Sequence, residues 1–372
     1  MSGRDNTGLF FALLRAGLWE TEVNLRPYEP LDMEALYALA EDQSVVGVLA
    51  NGLEHVADRA MTKAEVLSFL KKAYSIEGRN KSMDEFVGRL VSKLDAEGIR
   101  AVLVKGQGIA QCYARPAWRS AGDVDLLLDG DNYLKARDFL SPLASEVEKE
   151  QPDKKHLGMH FDKWVVELHG TLRSSLGRRV NRGMDALQEE MFAKEDFRSW
   201  SCGDVSVLLS SVDNDLLIVF THILQHFFTS GIGLRQICDW VRLLWTYRDE
   251  IDLSLLESRL RGMGLMSEWK AFGAVAVEYL GMPAEAMPFY ESGPSWKRKA
   301  ARIVEFIFTV GNFGHKRDLS YIQKYPLLIR KTISFHRNTR DFLWHLPIFP
   351  KDAWRLYLGR IVAGFAAVAR GE

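Results

Sequence analysis

The chain is 372 residues long, with 48 Lys and Arg against 49 Asp and Glu, a formal net charge of -1 and a charged fraction of 26%. That length supports two or three domains around a sizeable core, and the even balance excludes a global bias toward polyanions. Cys112, Cys202 and Cys238 form neither a metal-type pair nor a disulfide framework, which fits free thiols in a reducing, cytoplasmic setting.

The stretch up to Glu20 lacks the basic start, long apolar run and cleavage site of a signal peptide. No window of about 18 apolar residues predicts a transmembrane segment. Residues 1–82 read as an N-terminal helical region. Thr7 is suited to cap a helix with Leu9, Phe10, Leu13, Leu14 and Leu18 at helical spacing. A second helix follows Pro30, and the alanine-rich run after it reads as two helices broken near Ser44. Thr62 and Glu65 have capping-box spacing.

A helix over Met83 to Glu97, ended by Gly98 as a left-handed cap, opens a core spanning residues 83–204. The spacing then predicts a strand over Arg100 to Val104, a turn at Gly106-Gln107-Gly108, a short helix, and a second strand bearing Asp123 and Asp125. Residues i and i+2 of a strand share a face, so both acids project together, between apolar Val124, Leu126 and Leu128 of the same strand. Two anions so close repel unless a cation sits between them, and carboxylate oxygen suits a hard ion such as Mg²⁺. The bland reading of such a pair is a solvated turn. Further on, a helix is expected over Asp131 to Leu140 and a strand over Val165 to His169, with Val165, Glu167 and His169 on one face.

Residues 205–372 read as a C-terminal helical domain. His222 and His226 have the spacing of a zinc-binding helix but lack its glutamate, so they read as cleft-lining or buried histidines. Arg235 and Asp239, four apart, predict an intrahelical ion pair. Residues 296–360 hold 14 Lys or Arg against 4 Asp or Glu, interleaved with aromatics. That pattern suits either RNA as a partner or simply exposed charge. The apolar tail, Leu356 to Ala369, reads as a packed terminal helix.

The run Lys105-Gly106-x-x-x-Ala110-x-x-Tyr113, then Arg119, then Gly122-Asp123-Val124-Asp125-Leu126, resembles the signature of the nucleotidyltransferase superfamily with the DNA polymerase β-type fold. It is nearest to an uncharacterised branch with Lys-Gly where most members have Gly-Ser. The resemblance implies an α+β fold: a polymerase β-type nucleotidyltransferase core, a small mixed sheet with helices, between the two helical regions. It also implies a third carboxylate on a later strand, and Glu167 matches that place. The superfamily serine contacts phosphate, so here Lys105 or Gln107 would replace it.

On this reading Asp123, Asp125 and Glu167 are the catalytic and metal-binding residues, holding Mg²⁺ or Mn²⁺, with Glu167 also a candidate base. Lys105, Gly106, Gln107, Gly108 and Arg119 would bind the nucleoside triphosphate, the turn through N–H groups at a helix start. His169 reads as a structural or acceptor-site residue. The expected reaction is transfer of a nucleoside monophosphate to a hydroxyl or phosphate acceptor, a small molecule or glycan precursor. Three alternatives stand beside it: a toxin-like enzyme modifying tRNA or protein, a degenerate nucleotide-binding scaffold, and a phosphotransferase on the same fold. The base and the acceptor are not readable.

Overall fold

The computed structural model describes residues 3–312 and 325–369. Residues 313–324 of the basic stretch, and the side chains at 363–369 of the apolar tail, lie outside the described residues. Helix α1 (Gly3–Trp19) starts ahead of Thr7, which therefore lies in its body and not at its cap. Helix α2 (Met33–Asp42) is capped by Asp32, whose side chain accepts from the Ala35 amide. The chain breaks at Ser44, φ +56°, before α3 (Val46–Leu53). Helices α1 and α3 cross backbone to backbone: a Cβ on Gly17 would lie 1.9 Å from the Val48 carbonyl oxygen, and one on Gly52 2.1 Å from that of Leu13.

The Thr62–Glu65 capping box forms and starts α4 (Lys63–Ala96), a single helix of 34 residues. Two helices were expected here, and the expected boundary at residue 83 falls inside this one. The segment between them is an internal anchor. Asn80 is buried, and its Nδ2 donates to the carbonyls of Ala117 (2.8 Å) and Arg119 (2.7 Å). Gly98, φ +66°, ends the helix run as a left-handed cap.

The core follows as β1 (Val102–Val104), α5 (Gly106–Ala110), β2 (Val124–Leu127), α6 (Gly130–Leu140), β3 (Glu146–Val147), β4 (His156–Phe161), β5 (Trp164–His169), α7 (Arg178–Lys194), β6 (Phe197–Cys202) and β7 (Val205–Ser210). The strands form one seven-stranded mixed sheet in the order β3-β4-β5-β2-β1-β7-β6, which runs past residue 204 to Ser210. The fold is α+β, as the sequence implies. The remaining helices are α8 (Val212–Thr229), α9 (Leu234–Thr246), α10 (Leu253–Met263), α11 (Met266–Glu278), α12 (Pro294–Val310), α13 (Leu327–His345) and α14 (Pro350–Ala369). None of the described helices is long and apolar enough to cross a membrane.

Strand alternation divides the sheet between two interiors. Leu103, Val124, Leu126, Val166 and Leu168 pack on Met83, Val87, Leu90 and Leu94 from the second half of α4, and on Tyr133, Ala136 and Leu140 of α6. Val102, Val104 and Leu127 face the other way, into a core that also takes α1, α3, the first half of α4, α8, α9 and α11. The N-terminal and C-terminal helices thus share one interior, and the sheet face that turns toward it carries the polar residues of interest.

Candidate active site

Strands β2 and β5 run parallel with Asp125 opposite Glu167, and Asp125 opposite Val104 on antiparallel β1. Neighbouring positions across a sheet share a face, so Asp125 and Glu167 stand side by side. Asp123, one residue ahead of β2, lines the same cleft. Along β5, Trp164, Val166 and Leu168 are buried while Val165, Glu167 and His169 are partly open. The structure therefore brings the three predicted carboxylates into one cleft of about 340 Å³ between the sheet and helices α8 and α9. Their surroundings differ: Asp125 is 3% exposed, whereas Asp123 is open to solvent.

Lys105 enters this cluster from the turn after β1, at φ +60°, where a lysine is strained by about 1–3 kcal/mol. Its Nζ donates to Asp125 Oδ1 at 2.8 Å and lies 3.4 Å from His222 Nδ1. Burial works against the ammonium charge, but Asp125 and Asp123 outweigh it and raise the Lys105 pKa. Asp125 is held below the usual aspartate value: burial pushes it up, and Lys105 and His169 overcome that. The charge of Asp125 in turn raises Asp123. Burial likewise opposes ionisation of Glu167, but hydrogen bonds from His156 and His169 drive it down. His169 Nε2 is 2.8 Å from Asp125 Oδ1 and 3.5 Å from Glu167 Oε2, and His156 Nε2 is 3.0 Å from Glu167 Oε2.

Beside the carboxylates lies a cationic wall. Arg119 Nε and Nη2 donate to Asp239 Oδ1 (3.0 Å) and Oδ2 (2.7 Å), and Tyr113 Oη donates to the same Oδ1 at 2.8 Å. The ion pair expected within α9 is therefore replaced by one between α9 and the loop before β2. Arg235, the helical neighbour, instead donates from Nη1 to the Ser120 carbonyl at 2.6 Å. Both guanidiniums line the cleft, and Arg119 Nη1 and Arg235 Nε are buried without a protein partner. Burial and then the Arg119 charge lower the Arg235 pKa. Asp239 answers the Arg119 charge, so Arg235, held by a carbonyl, is the less compensated cation of this wall.

Gly106 lines the cleft, but Gln107 and Gly108 do not. The Gln107 side chain is turned inward and donates to Asp84, so the expectation that it replaces the superfamily serine at phosphate is corrected. The Gly108 amide already donates to the Lys105 carbonyl at 3.1 Å, and a Cβ there would meet Leu209 Cδ2 at 2.8 Å; it is a packing glycine. His222 and His226 line the cleft as read. Burial and the Lys105 charge depress both, His226 to about 4, so both are neutral imidazoles.

Sequence reasoning passed over His156. The β4–β5 hairpin turns at Asp162 and Lys163, with Asp162 at φ +51°, and its register places His156 opposite His169. Counting outward from that turn finds the pair. The donor set as a whole fits a divalent cation: three carboxylates, one of them raised by its neighbour's charge, plus two imidazoles. Among the described residues, His156, Glu167 and His169 form a trio whose ligand atoms lie within 4.8 Å of one another.

A family described as uncharacterised nucleotidyltransferase matches residues 29–281, well over half of the chain. No curated protein and no solved structure matches.

Proposed function

The chain belongs to the uncharacterised nucleotidyltransferase family, and on that premise we propose that its cleft moves a nucleoside monophosphate from a nucleoside triphosphate to a hydroxyl or phosphate acceptor. The acceptor in this reading is a small molecule or glycan precursor. A cleft of about 340 Å³ falls in the size range of small-ligand sites. The observation that carries the proposal is the register of Asp125 beside Glu167, with Asp123 and the side chains of Arg119 and Arg235 lining the same cleft.

Phosphoryl chemistry of this kind asks a protein mainly to position groups and neutralise charge. Asp123, Asp125 and Glu167 would hold Mg²⁺ or Mn²⁺. When bound, such an ion offsets charge on the triphosphate and lowers the pKa of an acceptor hydroxyl. Arg119 and Arg235 would meet the phosphate tail from the cleft wall, where Asp239 and the Ser120 carbonyl anchor them. Lys105 supplies a further positive charge at the junction of the two groups. Glu167, kept ionised by His156 and His169, would complete the ligand set of the ion on the acceptor side.

The test is a thermal-shift screen of nucleoside triphosphates with Mg²⁺ or Mn²⁺, on the full chain and on Asp125→Asn, followed by pyrophosphate release with α-labelled nucleotide. Metal-dependent stabilisation lost in the variant supports the site. Release of nucleoside diphosphate would instead assign a phosphotransferase, and label in an RNA or protein fraction would assign a macromolecular acceptor. Stabilisation unchanged by Asp125→Asn sinks the proposal.

A further inference from the structure

We propose that His156, Glu167 and His169 bind a first-row transition-metal ion of the Co²⁺ or Zn²⁺ type, through two imidazole nitrogens and one carboxylate oxygen. This goes beyond the transfer reaction, because it concerns an ion chosen by nitrogen ligands where the carboxylates alone favour a hard ion.

The argument is geometric. Glu167 and His169 share a face as i and i+2 of β5, and His156 faces His169 across the β4–β5 hairpin, with ring centroids 4.8 Å apart. The separations from Glu167 Oε2 are 3.0 Å to His156 Nε2 and 3.5 Å to His169 Nε2. Ligands about 2.0–2.2 Å from a common ion stand roughly 2.9–3.4 Å apart around it, so both separations from Glu167 are close to those of a coordination shell, and all three ligand atoms lie within 4.8 Å of one another.

The chemistry agrees with the spacing. Two imidazoles and one carboxylate, with further positions open, are a recurrent transition-metal donor set. His156 Nε2 rests against Glu167, and His169 Nε2 against Asp125 Oδ1 at 2.8 Å. Exchanging the protons of those contacts for an ion would bring Asp125 within reach as a further oxygen ligand. The trio sits on paired backbone and not on a loop, so its spacing is held by the β4–β5 ladder.

Metal-stripped full-length protein is titrated calorimetrically with CoCl₂, ZnCl₂ and MgCl₂ without nucleotide, and the cobalt form is read by visible absorption. The expected result is one equivalent of Co²⁺ or Zn²⁺ held at least about tenfold more tightly than Mg²⁺, with the d–d bands of a nitrogen-bearing site. His156→Ala should weaken Co²⁺ by about tenfold or more and change the bands. His156→Gln, which keeps a hydrogen-bond donor toward Glu167, should do the same, separating a lost ligand from a lost fold. Asp138→Asn, which removes a carboxylate outside the cleft, should retain the bands. Mg²⁺ binding as tight as Co²⁺, bands that survive His156→Gln, or binding lost in His222→Ala with His156 intact would each overturn the proposal. Nucleotide is absent throughout, so failure of the transfer reaction leaves these readouts intact.

Discussion

Arg119 and Asp239 are 120 positions apart in the chain and meet through two hydrogen bonds, with side chains 5% and 8% exposed. A buried pair is costly to break from one side, because the surviving charge is left without a partner. Asp239→Ala should therefore lower stability by about 3–5 kcal/mol in urea denaturation. A loss under about 1 kcal/mol, the scale of a surface pair, would show that the pair is solvated.

Arg235 is anchored by one hydrogen bond to the Ser120 carbonyl and keeps Nε unspent. Under the proposed function, Arg235→Ala should weaken triphosphate binding tenfold to a hundredfold, since a hydrogen bond to a charged group contributes about 1.5–3 kcal/mol. Calorimetric titration of the nucleotide measures it. Unchanged affinity would confine Arg235 to holding the Ser120 loop.

Gly52 sits where α3 touches α1, with space for no side chain: the added Cβ would come 2.1 Å from the Leu13 carbonyl oxygen. In an exposed helix Gly→Ala stabilises by about 1 kcal/mol, but here overpacking should reverse the sign and cost about 1–3 kcal/mol. The melting temperature of Gly52→Ala decides the sign.

Glu268 on α11 is 3% exposed, and burial, then a hydrogen bond shared with Asp352 of α14, raises its pKa to about 8. The folded state thus holds a proton that the unfolded chain releases near its ordinary value of 4.5. The contribution to stability is full below that value and is lost as pH rises through about 8. Melting temperature should fall between those limits, and Glu268→Gln, which cannot ionise, should flatten the dependence. A wild-type curve that matches the variant's would rule out the shared proton.

The acidic pair, the glycine-rich turn and the strand bearing Glu167 were legible because each is local: period-two alternation and turn residues announce themselves within ten positions. The residues that complete the cleft were not. Helical spacing paired Asp239 with Arg235, whereas the fold hands Asp239 to Arg119 and Tyr113; no local pattern encodes a partner so distant in the chain. His156 gained meaning only from hairpin register. The continuity of α4 was not legible either: the carbonyls of Ala117 and Arg119 that hold its buried Asn80 lie 37 and 39 positions further on.

That unbroken helix has a mechanical consequence. One half of α4 is packed beneath the sheet and the other among the helices of the opposite interior, so it acts as a tie rod between regions that would otherwise be separable. Severing the polypeptide near residue 82 would expose both ends of the rod at once and leave no freestanding catalytic fragment. Loosening of either half of the helix should accordingly be felt by the region packed on the other.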